Sequence, residues 1–283
     1  MSVIHIKKLE KKIDDFILGP LDLTVEPGTI TALVGNNGSG KSTLMKLMMN
    51  LVKQDQGDIY LFGEEITPAK DQWKSSVSYQ SQSPVGYAPF TGNALKEMIA
   101  PLYSTWDEQL FTDVIHELDA PLNKRFSKLS PGAQQKLSFA LTIARNTPLL
   151  ILDEPTAHLD IPSKKIMVDR LVNWMERGEH SIIIASHQVE DIKKLADYLC
   201  VLHHGEMIGH FEKGELTEQY GRFWLADPPK QNIPYVITYD GSTIISNNVH
   251  ETEAYLQNHK IEYISREQID LEEIITILLS TKY

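Results

Sequence analysis

The sequence is short of cysteine, since Cys200 is the only one among its 283 residues. A single thiol cannot close an intramolecular disulfide, so a disulfide framework is excluded and a reducing compartment is favoured. Residues 199–202 are otherwise apolar, which predicts that Cys200 is a buried packing residue.

Long apolar runs and an excess of positive charge are also lacking. No stretch of the sequence approaches the ~18 consecutive apolar residues of a membrane-spanning helix, and residues 1–8 lack the apolar core of a signal peptide. Asp and Glu number 38 against 27 Lys and Arg, and the net charge of −11 argues against a broad nucleic-acid-binding surface. We therefore expect a cytoplasmic protein with no nucleic-acid partner, whose membrane role, if it has one, comes through a protein partner.

Residues 35–43 fit the phosphate-binding loop pattern G-x-x-x-x-G-K-S/T. The apolar, β-branched run before them predicts a buried strand, and residues 44–49 favour a helix. Glycines bring backbone N–H groups close to phosphate oxygens, and the N-terminus of the helix adds partial positive charge. Lys41 would reach the β- and γ-phosphates, and the Ser42 hydroxyl would ligate Mg²⁺. The predicted nucleotide contacts in this loop are Gly35, Asn36, Asn37, Gly38, Ser39, Gly40, Lys41, Ser42 and Thr43.

Two further buried strands are predicted to end in titratable side chains. Four aliphatic residues precede Asp153 and Glu154, and such a run is typical of a strand covered on both faces of a parallel sheet. Neighbouring side chains of a strand point to opposite faces, so the two carboxylates are expected to have different roles. Asp153 would hold Mg²⁺, and Glu154 would polarise the attacking water. A β-branched strand at residues 181–185 leads to His187, which could contact the γ-phosphate.

Residues 127–136 predict the start of an amphipathic helix, with Ser130 as its N-cap and Pro131 in its first position. The character of the sequence changes after residue 213. Residues 226–234 have the composition of a linker, and strands at 235–239 and 243–245 precede helices at 251–259 and 271–279.

Taken together, these motifs resemble the ATP-binding subunit of ABC transporters over about residues 1–213. Residues 35–43 match the Walker A loop, and residues 149–154 match the Walker B strand with its catalytic glutamate. Residues 129–133 stand where the family has its L-S-G-G-Q signature. Gln82 matches the Q-loop glutamine, Asp160 the end of the D-loop, and His187 the switch histidine.

The resemblance implies an α/β fold. It would comprise a P-loop NTPase core with a mostly parallel sheet, an N-terminal antiparallel β subdomain, and a helical subdomain at about residues 83–147 that carries the signature. Residues 1–213 would form the ATP-binding domain, and residues 214–283 a small C-terminal α/β appendage.

The resemblance also implies a function, with ATP and Mg²⁺ as cofactors. Two such subunits would sandwich two ATP molecules, and closure and hydrolysis would drive membrane-spanning permease subunits from the cytoplasmic face of the cell membrane. The second ATP-binding subunit can be another copy of the chain or a different chain. The implied catalytic residues are Glu154, His187 and Lys41, and the implied metal ligands are Ser42, Gln82 and Asp153. The nucleotide-binding residues that it adds to the Walker loop are Gln82, Ser130, Gly132 and Asp160.

The sequence departs from the family pattern at the signature and at the base site. Pro131 stands for a glycine and Ala133 for the glutamine, while the serine and second glycine that contact phosphate are kept. The position where the family stacks an aromatic ring on adenine falls near Lys12, which cannot stack in that way. Phe16, four residues further on, could stack there only if the loop is shifted, and we otherwise interpret it as strand core.

The separate-chain layout, the divergent signature and the short appendage look most like the bacterial drug and peptide exporters. The alternative hypothesis is a soluble ATP switch of the same fold that acts on a partner outside the membrane.

Overall fold

The computed structural model describes residues 2–67 and 70–280, which form two compact units that meet between His210 and Phe211. The strands up to this division are β1 (Ile4–Ile13), β2 (Phe16–Val25), β3 (Ile30–Val34), β4 (Gln56–Leu61), β5 (Glu64–Glu65), β6 (Val77–Gln80), β7 (Leu149–Asp153), β8 (Ser181–Ala185), β9 (Tyr198–His203) and β10 (Glu206–Glu212), the last of which spans it. The α-helices are α1 (Lys41–Met48), α2 (Gly92–Ile99), α3 (Glu108–Leu118), α4 (Pro131–Ile143), α5 (Ile161–Met175) and α6 (Val189–Leu195), with 3₁₀ turns at Gln72–Ser76, Ala100–Leu102 and Phe126–Lys128.

One sheet of the first unit is antiparallel and has the strand order β2-β1-β4-β5. Strands β1 and β2 form a hairpin in which Ile13 pairs with Phe16 across a two-residue turn. Asp14 takes a left-handed φ of 51° in this turn, a conformation that Asp tolerates better than most residues. The hairpin therefore fixes where Phe16 lies.

The second sheet has the order β10-β9-β3-β8-β7-β6, and the run from β9 to β6 is parallel. Every residue of β3, β7 and β8 is buried, as expected of strands covered on both faces. The carboxyl ends of these strands lie at one edge of the sheet and carry the phosphate loop, the two carboxylates and His187. The prediction of an α/β fold with a mostly parallel sheet and an antiparallel N-terminal sheet is confirmed.

Helix α4 begins where the sequence predicts. Ser130 is its N-cap and accepts a hydrogen bond from the backbone N–H of Ala133 at 3.3 Å, and Pro131 occupies the first position. Within the helical subdomain expected at about residues 83–147, residues 100–107 separate α2 from α3. Asp107 starts the second helix by accepting a hydrogen bond from the backbone N–H of Leu110 at 2.8 Å.

The second unit contains α7 (Lys213–Gln219), β11 (Gly221–Leu225), β12 (Val236–Asp240), β13 (Thr243–Ser246), α8 (Val249–Asn258), β14 (Tyr263–Gln268) and α9 (Leu271–Ser280). Its antiparallel sheet has the order β12-β13-β11-β14. Phe223 and Leu225 of β11 pack with Ile244 and with Val249 and Leu256 of α8 in a small core of their own. Among the described residues, we find no helix long and apolar enough to cross a bilayer.

Candidate nucleotide-binding site

The phosphate loop connects β3 to α1 and is shaped by close approaches at its glycines. Gly40 has a φ of +108°, and a Cβ atom there would lie 2.7 Å from Leu18 Cδ1 and 3.2 Å from Phe16 Cζ. A larger residue would therefore be strained and would fill the cradle at the start of α1. The buried Ser39 Oγ has no hydrogen-bond partner among the described residues, which suits a loop that closes around a polar ligand.

Lys41, the first residue of α1, folds back over the loop. Its Nζ donates hydrogen bonds to the backbone oxygens of Gly35 at 2.7 Å and Asn36 at 3.2 Å. Burial lowers the pKa of Lys41, and the nearby carboxylates of Glu154 and Asp153 partly oppose that shift. The loop thus holds a largely buried ammonium group at the N-terminus of a helix, where a phosphate is favoured.

Ser42 and Asp153 are 111 residues apart in the sequence and meet in the fold. Ser42 Oγ donates a hydrogen bond to Asp153 Oδ1 at 3.1 Å. The pKa of Asp153 is raised, because the effect of burial exceeds the opposing effects of the Ser42 hydrogen bond and of the charges of Lys46 and Lys41. A hydroxyl and a carboxylate oxygen this close together are ligands that Mg²⁺ prefers, so the residues present fit that ion.

Glu154 lies one residue beyond β7 and has a left-handed φ of 52°. Its backbone N–H donates to the Ala185 oxygen at 2.9 Å, so the turn stays joined to the end of β8. Its side chain is 8% exposed, and Oε2 lies 2.7 Å from Nδ1 of His187. The structure therefore brings together the two titratable residues that follow β7 and β8.

A cleft of about 570 Å³ lies in front of these groups. Its walls are Ile13, Phe16, the loop residues Asn37, Gly38, Ser39, Gly40, Lys41, Ser42 and Thr43, and the side chains of Gln82 and Glu154. The interpretation of Phe16 as strand core is incomplete, because Phe16 packs against the core and also lines the cleft. Lys12 does not line it, since the β1–β2 hairpin places Ile13 and Phe16 there instead.

The signature residues lie in a separate cleft of about 490 Å³. The predicted site residues that line it are Ser130, Gly132 and Asp160, together with Pro131, Ala133, Lys136 and His158. A Cβ atom on Gly132 would lie 2.8 Å from the His158 oxygen, so the start of α4 sits directly against the D-loop. Asp160 is the N-cap of α5 and accepts a hydrogen bond from the backbone N–H of Ser163 at 2.7 Å. The predicted nucleotide-binding residues of the described chain are therefore divided between two clefts.

Sequence analysis did not place two residues that line the first cleft and one residue that supports the turn carrying Glu154. Ile13 and Phe16 could be placed only from the hairpin register. Gln135 is buried and donates two hydrogen bonds to the turn that carries Glu154. Its acceptors lie 19 and 20 residues further along the chain, so no local pattern points to them.

The fold and the first cleft define a P-loop ATPase of the cassette type, and the comparisons agree. The family model for the ABC transporter matches residues 18–157. The ABC transporter ATP-binding protein YtrB of Bacillus subtilis is 27% identical over 284 residues, covering 96% of both chains. A solved ATP-binding subunit of an ABC transporter superposes with a TM-score of 0.70 at 22% identity, covering 77% of this chain and 93% of that one. The chain belongs to the ABC transporter family, as an ATP-binding and ATP-hydrolysing subunit.

A further relative has a different layout. The ribose import ATP-binding protein RbsA of Caldanaerobacter subterraneus is 29% identical over 256 residues, which is 86% of this chain but 51% of that protein. The chain thus spans about half the length of this relative, whereas it spans nearly all of YtrB.

Proposed function

We propose that this chain is the motor subunit of an ABC exporter, in which its own nucleotide cleft and its signature cleft serve two different ATP molecules. The observation that carries the proposal is the convergence of Lys41, Ser42, Asp153 and Glu154 at one cleft while Ser130 and Gly132 line another. Neither cleft alone has both sets of residues. Two chains that face one another would complete each site.

At the first cleft the chain binds and orients the nucleotide. The backbone N–H groups of residues 38–42 and the Lys41 ammonium hold the phosphates. Ser42, Asp153 and Gln82 would hold Mg²⁺, which would supply charge neutralisation at the phosphate oxygens. Phe16 offers a ring face at the side of the cleft, where an adenine can stack.

Glu154 is placed to act as the general base. Its carboxylate accepts the proton of the attacking water, and His187, 2.7 Å away, orients that carboxylate and approaches the γ-phosphate. The partner chain would bring Ser130 and the backbone N–H of Gly132 to the other side of the same phosphate. Asp160 would take part at this interface through the D-loop.

The membrane partner is proposed from exposed apolar side chains. Val85 is 94% exposed and Leu102 is 72% exposed. Arg145 lies between the segments that carry them, since its guanidinium donates to the hydroxyls of Tyr87 and Tyr103, each at 3.4 Å. Exposed apolar side chains on segments that are joined in this way are candidates for an interaction site. This surface suits a permease subunit, and it would hold the chain on the cytoplasmic face of the cell membrane.

The proposal also includes the direction of transport, which is export. The altered signature and the small C-terminal unit support export.

The test is the Glu154→Gln variant. We expect its ATP hydrolysis to fall by about a hundredfold or more, because a general base contributes about 10²–10⁴ in rate. ATP binding should persist, because the phosphate loop is unchanged. The exposed Glu179→Gln variant is the matched control and should hydrolyse ATP at the wild-type rate. Substantial residual turnover by Glu154→Gln would remove Glu154 as the base.

A further inference from the structure

The side chain of Gln135 spans from helix α4 to the turn after β7. Gln135 is 5% exposed, and its Nε2 donates hydrogen bonds to the backbone oxygens of Glu154 and Pro155, each at 2.8 Å. A side-chain amide has two N–H donors, so both are used on two consecutive carbonyl groups. A buried amide whose two N–H donors are both engaged in this way fixes the position of its acceptors.

The turn that Gln135 holds has a backbone that needs support. Glu154 is in the left-handed region with a φ of 52°, which is unfavourable for a residue with a Cβ atom. Its backbone N–H is bonded to Ala185 at 2.9 Å, and Thr156 Oγ1 donates to the buried Asp191 Oδ2 at 2.6 Å. The sheet and α6 thus hold the turn on one side. Among the hydrogen bonds of the described residues, Gln135 supplies the side-chain contact from α4.

Helix α4 begins at the signature. Ser130 caps it and Gly132 lies in its first turn, five and three positions before Gln135. A helix of 13 residues moves as a rigid element, so a displacement of the signature end would be carried to Gln135. The carbonyl groups of Glu154 and Pro155 would then move with it.

We propose that Gln135 is a positioning residue for hydrolysis, which sets the orientation of the Glu154 carboxylate through the backbone of the turn and links it to the signature end of α4. The inference rests on the proposed role of Glu154 as general base. Gln135 does not line the nucleotide cleft. We therefore expect a substitution of Gln135 to change the rate of ATP hydrolysis and not the affinity for ATP.

The adjacent Gln134 is a matched control. Its Nε2 also donates to two backbone oxygens, those of Phe126 at 3.0 Å and Leu129 at 3.2 Å. These acceptors precede α4 and have no bond to the turn after β7. Changing either glutamine to methionine keeps the length of the side chain and removes two hydrogen bonds.

The experiment is a double-mutant cycle on full-length chain. Gln135→Met and Gln134→Met are each made in the wild type and in Glu154→Gln, and ATP binding and single-turnover hydrolysis are measured. We expect Gln135→Met to lower the hydrolysis rate by about ten- to a hundredfold with an ATP dissociation constant within about twofold of wild type, because a small misplacement of a reacting group has costs of this size. In the Glu154→Gln background the same change should alter the residual rate by less than about twofold, because there is no carboxylate left to orient. Gln134→Met should change the rate by the same factor in both backgrounds.

Hydrogen exchange supplies a readout that does not depend on activity. The backbone N–H groups of Ala157 and Leu159 are bonded to the oxygens of Glu154 and Thr156. Gln135→Met should speed their exchange in the chain without nucleotide, and Gln134→Met should not.

The outcomes separate the two proposals. If Glu154→Gln alone keeps its turnover, the role of Glu154 as base is wrong. If Glu154→Gln loses turnover but Gln135→Met lowers the rate equally in both backgrounds, or leaves exchange in the turn unchanged, the positioning role of Gln135 is overturned while the proposed function stands.

Discussion

Phe16 is the aromatic side chain that the β1–β2 hairpin brings to the nucleotide cleft. It lies beside Gly40, where its Cζ is 3.2 Å from the place of a Cβ atom. If its ring stacks on the base, Phe16→Ala should weaken ATP binding by about ten- to a hundredfold, since loss of base stacking has costs of about 1–3 kcal/mol. Titration calorimetry with Mg-ATP measures this change.

Two controls separate stacking from general damage. Inorganic triphosphate has no base, so its affinity should be the same for Phe16→Ala and the wild type. Ile17→Ala changes the next residue, which is 47% exposed and does not line the cleft, and it should leave ATP affinity unchanged. Equal losses for ATP and triphosphate would show that Phe16 supports the loop rather than the base.

Cys200 gives a second prediction at the scale of single residues. Burial raises the pKa of its thiol to about 12, and its Sγ lies 3.5 Å from Met207 Sδ. At pH 8 the folded chain should therefore react very slowly with a thiol-specific disulfide reagent. In urea the pKa returns to about 8.5 and the reaction should be fast. Rapid modification of the folded chain would contradict the burial of this thiol.

At the residue scale, the sequence was a good guide where a motif has fixed spacing. Lys41, Ser42 and Glu154 line the nucleotide cleft and Asp153 is bonded to Ser42, because each of these residues lies at the start of a helix or at the end of a strand. Phe16 and Gln135 could not be placed in this way. Their contacts depend on a hairpin register and on a pairing of distant segments, which local pattern does not encode.

The helices and strands likewise include some that the sequence predicts and some that it misses. The strands before Gly35, Asp153 and His187 and the helix from Pro131 were predicted correctly, because buried parallel strands are continuous apolar runs and caps have a clear signal. Strand β14 was missed, since Tyr263–Gln268 is nearly all exposed and is held by backbone pairing with β11. Helix α7 was missed because it buries only Leu216.

The contact between α4 and the D-loop gives the prediction at the element scale. A Cβ atom on Gly132 would approach the backbone oxygen of His158 to 2.8 Å, and neither backbone can yield easily. Gly132→Ala should therefore lower the free energy of unfolding by about 1–3 kcal/mol, a typical result of overpacking. Urea denaturation of the full chain measures it.

Gly178→Ala is the control for this change. A Cβ atom on Gly178 would meet the ring of His180, with Cε1 at 3.8 Å and Nε2 at 4.0 Å, which is ordinary contact. This variant should be neutral or slightly stabilising, because alanine reduces the freedom of the unfolded chain. Equal destabilisation of both variants would show that loss of glycine, rather than the approach of α4 to the D-loop, is responsible.

The described residues present a nucleotide cleft and a signature cleft, and pairing of two chains should depend on ATP if the two clefts complete one another in trans. The Glu154→Gln variant is suited to show this, because it should hold ATP without hydrolysing it. Light scattering of this variant should give the mass of a monomer without nucleotide and of a dimer with Mg-ATP, since each bound nucleotide adds contacts that only the pair makes. Lys41→Ala in the same background should remain monomeric with Mg-ATP, because it lacks the phosphate contact.

If Glu154→Gln stays monomeric with Mg-ATP, the altered signature is the next feature to test. Pro131 and Ala133 occupy the first and third positions of α4. The groups that would face the phosphate, the Ser130 hydroxyl and the Gly132 N–H, belong to the two signature residues that are kept. If the variant binds Mg-ATP and stays monomeric, the Pro131→Gly, Ala133→Gln double replacement should be measured next. Dimerisation of that form would show that the departures weaken the signature of this chain. A monomer in both forms would contradict pairing between identical chains, and the complementary signature would then have to come from a different subunit.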